Sequence, residues 1–149
     1  MSSRADLLAA VTANLQRITT AAGYRTDIGT AVTTEPAQVQ DDEDAIVAVL
    51  IERQQRATDA AVIRTHRLTT VAVVAKAQAA DTRQAMEMID AIADDIERAM
   101  ADRQFTYPSG IQTPQFAEME PLVPEAGSRW VGAVIRYTTH VPIPTHPSP

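Results

Sequence analysis

"HRLTTVAVVAKAQAADTRQAMEMIDAIADDIERAMADR", residues 66–103, changes its hydrophobic period half-way along. The first part, through residue 79, is rich in β-branched and small apolar types, with Leu68, Val71, Val73 and Val74, and reads as a strand. The second part repeats apolar residues every three or four positions. Ala85, Ile89, Ile92, Ile96 and Met100 form a stripe with Met88 at its edge, which is an amphipathic helix. Asp81 is the expected N-cap and Gln84 completes a capping box. Asp90, Asp94, Asp95 and Glu97 are expected on the opposite, wet side, so the helix packs by one face only.

Outward from this junction the chain reads as further strands and one more helix. Upstream, "AIVAVLIERQQRA" (45–57) is apolar on both faces in its first half, as a central strand would be. Before it, "TAVTT" (30–34) predicts a short strand that Pro36 ends or bends. Residues 4–22 carry Leu7, Leu8, Val11, Leu15 and Ile18 on one stripe, which predicts an opening helix capped by Ser3 and stopped by Gly23. Downstream, "PEAGS" (124–128) is a turn between two β-like arms. In the second arm, Val131, Ala133, Ile135, Tyr137 and Val141 share one face, and Arg136, Thr138 and His140 share the other. The order α-β-β-β-α-β-β predicts an α+β fold: a mostly antiparallel sheet with two amphipathic helices packed on one face. Residues 1–141 form the expected domain, and 142–149, "PIPTHPSP", a Pro-rich extended tail.

Composition narrows the function. The chain has 149 residues, enough to bury a core without a staple, and no cysteine, which excludes a disulfide framework, a Cys-based zinc site and a thiol nucleophile. A net charge of −6, with scattered basic residues, makes it a poor grip for phosphate backbones. The N-terminus has no long apolar region of the signal-peptide kind, and no stretch approaches the roughly 18 apolar residues of a membrane span. These features predict a soluble protein with no cofactor.

Motifs for catalysis are sparse. Asp41, Asp42, Glu43 and Asp44 stand in a row before an apolar strand, and Glu52 lies on that strand. Oxygen ligands of this kind suit a divalent cation. Yet the calcium-loop spacing with its glycine is missing, and Gln54 stands where a metal-dependent nuclease would carry lysine. The alternative is a solvated loop whose charges keep the strand from mispairing. His140 and His146 have no third ligand nearby, and His66 stands apart. There is no G-x-S-x-G elbow and no glycine-rich phosphate loop. No catalytic, cofactor or metal residue is assigned, and the chain reads as a non-enzyme. Trp130 is either an interface anchor or a core residue.

The succession of "LLAAVTANLQRITTAAGY", "TAVTTEPAQ", "HRLTTVAVVAKAQAAD" running into "TRQAMEMIDAIADDIERAM", and a closing "WVGAVIRYTTHV" resembles the tail terminator proteins of long-tailed bacteriophages, the lambda-type family. The pattern covers nearly the whole chain except the tail after Val141. The resemblance implies a structural virion protein, made in the bacterial cytoplasm and placed at the head-proximal end of the tail. It implies a homo-oligomeric, hexameric ring that caps the tail tube and ends its polymerisation. Its partners would be the major tail tube protein and the neck or connector proteins, with DNA passing through and no membrane contact. Asp41, Asp42, Glu43 and Asp44 would face the lumen or a partner, and Trp130, Arg136, Tyr137 and His140 would be interface candidates. A head–tail connector or neck completion protein is the nearest alternative, and a small α+β enzyme or ligand-binding domain a further one.

Overall fold

In the computed structural model, residues 2–35, 44–122, 124 and 128–144 are described. Helix α1 spans Ser3–Leu15, strand β1 Val32–Thr33, β2 Ala45–Arg56 and β3 His66–Gln78. Helix α2 spans Thr82–Ala101, β4 Gln115–Leu122 and β5 Trp130–Pro142. The five strands form one sheet in the order β1-β2-β3-β5-β4. β1 is parallel to β2 and all other neighbours are antiparallel. Both helices lie on the same face, which is the predicted architecture.

The pleat explains the layering. Alternate residues of β3 and β5 point the same way. Val71, Val73 and Ala75 join Ile135, Tyr137 and Val141 in one buried cluster with Leu7, Val11 and Leu15 of α1 and Ile92 and Ile96 of α2. Each fully buried Val, Leu or Ile among them contributes about 1.5–3 kcal/mol. The predicted faces of β5 are the observed ones. The stripe of α2 is also as predicted, with Asp81 as N-cap, although its carboxylate accepts from the Arg83 N–H rather than forming a box with Gln84.

Three expectations need correction. The opening helix is capped by Ser2, not Ser3, and ends at Leu15 rather than running to 22. Ile18 is still buried, but a 3-10 turn at Thr20–Ala22 follows, and Gly23 (φ 95°) closes that turn rather than the α-helix. The reason is Gly29: its N–H bonds the Ile18 carbonyl at 2.9 Å, and a Cβ there would lie 2.5 Å from the Gln16 carbonyl. The backbone of the next segment therefore occupies the place of a further helical turn. Thirdly, Asp95 is fully buried instead of wet. It accepts from the N–H groups of Arg25 (3.0 Å) and Thr26 (2.7 Å) and from the Thr26 hydroxyl (2.7 Å), which stitches residues 25–26 to α2.

Candidate assembly surface

The face of the sheet away from the helices has no second layer among the described residues. Its centre is Arg136. Nε lies 2.9 Å from Glu52, and Nη1 lies 2.8 Å from Glu120 and 3.3 Å from Glu118. One cation on β5 thus gathers carboxylates from β2 and β4.

Local irregularities make this possible. The register of β2 against β3 slips between Ile51 and Arg53, so Glu52 is an extra residue whose side chain is re-aimed onto the open face. A second bulge between Phe116 and Glu118 resets β4 in the same way. Ala72 on β3 stands opposite both Leu50 and Arg136, and its small side chain leaves room for Glu52 and Arg136 to meet above it. The hydrogen bonds that Arg136 donates to Glu120 and Glu52 hold its guanidinium cationic well above its ordinary range. Three carboxylates on one guanidinium leave the patch with an excess of negative charge.

The other predicted interface residues fall in different environments. Trp130 is half-buried at the opposite end of β5, with the Lys76 ammonium 5.2 Å from its ring centroid. Tyr137 lies in the core under the helices, 3% exposed, and burial, then the Glu97 charge, push its phenol up. His140 shares the face of Arg136 but is enclosed by the chain around it. Its Nε2 accepts from the Thr58 N–H and its Nδ1 meets the Gln112 side-chain oxygen, both at 3.3 Å. A tautomer with its proton on Nδ1 satisfies both contacts. Neither Tyr137 nor His140 is on the surface of the subunit. Of the acids, Asp41, Asp42 and Glu43 lie outside the described residues, while Asp44 is exposed and its carbonyl accepts from the Gln78 N–H.

Sequence reading missed three features. Phe116, Met119 and Met86 are exposed, at 53%, 46% and 60%, along β4 and the adjoining part of α2. Met86, Ile89, Met119, Pro121 and Val131 line a groove of about 360 Å³ there. Near the ends of β2 and β3, Arg56, Arg64 and Arg67 line one cleft, and neither they nor Arg53, which points to the other face, form an ion pair with any described carboxylate. A buried polar knot joins α1 to the end of α2. Asn14 Nδ2 donates to the Ala99 carbonyl (3.1 Å) and the Tyr107 hydroxyl (3.0 Å), and its oxygen accepts from the Arg17 guanidinium. The Gln104 backbone N–H, then Arg17, hold the Asp102 carboxyl below its usual range. The knot is structural: it faces the core and satisfies its own groups. Among the described residues no three His or acidic side chains converge as metal ligands, and no helix is long and apolar enough to cross a membrane.

Among solved structures, the fold is similar to that of a chain in the virion of a native gene transfer agent (GTA) particle. The TM-score is 0.68 at 17% identity, over 91% of this chain and 94% of that one. No family model matches the sequence, and no curated protein matches it. At that identity the likeness establishes a shared fold, over nearly the full length of both chains.

Proposed function

We propose that this chain is a structural protein of a virion, and that it works as a tail terminator. Copies close into a hexameric ring that caps the tail tube, ends its polymerisation and offers its other side to the neck. The observation that carries the reading is the end-to-end similarity of fold to a virion component, 91% of one chain on 94% of the other. The sequence pattern from the opening helix to the "WVGAVIRYTTHV" strand narrows it to the terminator. On this reading the mechanism is surface matching, without catalysis. A head-to-tail contact that closes by rotation leaves no free edge for a further tube subunit. The partners are other copies of the chain, the tube protein and the neck proteins, and DNA passes through the ring without being gripped.

Electron microscopy of particles made after deletion of the gene tests this. Headless tails of uncontrolled length are expected. Tails of normal length that fail to join heads would reassign the chain to a head–tail connector. Unaltered infectious particles would overturn both.

A further inference from the structure

Both margins of the sheet lack a further strand among the described residues. β4 pairs with β5 on one side, and among the described residues no strand pairs with its other side along its 8 residues. On the far margin, β1 pairs with β2 only at Val47 and Ala48. β2 continues to Arg56, so positions 49–56 have no described strand on that side. Among the described residues each margin is thus about 26 Å of unpaired backbone edge, which soluble proteins normally protect. The directions also fit. β2–β3, β3–β5 and β5–β4 are all antiparallel, so β4 runs opposite to β2.

Charge makes the margins complementary. Glu118 and Glu120 on β4 share a single guanidinium with Glu52. Arg53, on the open part of β2, pairs with no described carboxylate, and neither does Arg56, which its register with Arg67 puts on the helix side. By the pleat, Glu118 and Arg53 belong to the same, helix-free face, because their cross-strand partners Arg136 and Thr70 do. Phe116 and Met119 turn to the helix side, where α1 flanks β2.

We propose that β4 of one copy pairs antiparallel with positions 49–56 of β2 in a second copy, head to tail, so that the sheet runs on from subunit to subunit. Glu118 and Glu120 then meet Arg53 on the helix-free face, and the neighbour's α1 covers Phe116 and Met119. The proposal deepens the ring reading and rests on it for closure, since the same junction without closure makes an open filament.

The chain has no cysteine, so introduced thiols report without background. The probes are four double variants of the full chain, combining Glu118→Cys or Glu120→Cys with Arg53→Cys or Gln55→Cys. A disulfide needs Cα atoms within about 7 Å. On oxidation, at least one double variant is expected to give a covalent ladder extending beyond dimers, which no single-cysteine variant gives. If no double variant exceeds its single-cysteine parents, the pairing is wrong. Light scattering supplies a second reading. Met119→Asp blocks one margin, and Arg53→Glu with Arg56→Glu blocks the other. An equimolar mixture keeps one good junction and stops at dimers. A mixture that stays monomeric while the unaltered chain assembles overturns the pairing. Rings that form without the ladder overturn the pairing and leave the ring reading standing. Cross-linked filaments that never close keep the pairing and overturn the ring.

Discussion

Asp95 shows how a single side chain holds an irregular segment in place. A carboxylate with no exposure needs every lone pair used, and the segment at residues 25–26 supplies two backbone N–H groups and a hydroxyl. Hydrogen bonds to a charged group contribute about 1.5–3 kcal/mol apiece before the loss of neighbouring groups to water is counted. Asp95→Ala should cost about 2–3 kcal/mol, less than three such bonds together because Arg25 is exposed and water takes up part of the loss, or about 4–12 °C in the thermal midpoint of a domain this size. Asp95→Asn should cost less, because one acceptor oxygen remains. A midpoint within a degree or so of the unaltered protein would mean that water replaces the carboxylate at no cost. The residue's place was legible in the sequence. Asp95 is three positions after Ile92 and four before Ala99, which puts it on the buried side of the helix. Charge alone assigned it to the wet side, and what overrode charge was a loop 69 residues upstream.

At the scale of the element, periodicity did most of what it can do. The strand-to-helix change in residues 66–103 and the two faces of β5 were readable because each pattern matches its own repeat over many residues. The end of α1 was not readable, because the stripe through Ile18 continues where the helix does not. Its stop is set by the close approach of Gly29, a contact that local sequence does not encode. The bulges that aim Glu52 and reset β4 were equally invisible, since a one-residue slip leaves composition unchanged. Yet they build the Arg136 cluster, which ties β2, β5 and β4 across the open face. Arg136→Met keeps the aliphatic stem over Ala72 and leaves three carboxylates facing one another. A loss of about 1–2 kcal/mol is expected at low ionic strength, mostly from that repulsion. The loss should shrink in ~1 M salt, where screening acts within about 3 Å. Chemical denaturation at two salt concentrations checks this. An equal loss at both would assign the effect to packing of the stem and not to charge.

For the whole molecule, the fold class was legible, and the exposure of the residues singled out on β5 was legible only in part. Arg136 and Trp130 were singled out by their place on β5, and both are half-buried. Tyr137 and His140 are buried: a strand pattern gives the face of a residue but not what the rest of the chain lays over it. The row Asp41, Asp42, Glu43 and Asp44 bears on function only if the ring reading holds. Each chain carries −6, and neutralising these four acids with Asn or Gln leaves −6 + 4 = −2. If the row lines a channel for DNA, its charge keeps passing phosphates from sticking, and the closed ring multiplies it by the number of subunits. Rings of the neutralised variant should then retain DNA in a gel-retardation assay at about 50 mM salt, where charges still act over more than 10 Å. Rings of the unaltered chain should not. Retention should vanish by about 0.2 M salt, because phosphate contacts are lost steeply with ionic strength. Rings that assemble normally and ignore DNA at both salts would place the four acids away from the channel, against the tube, the neck or open solvent.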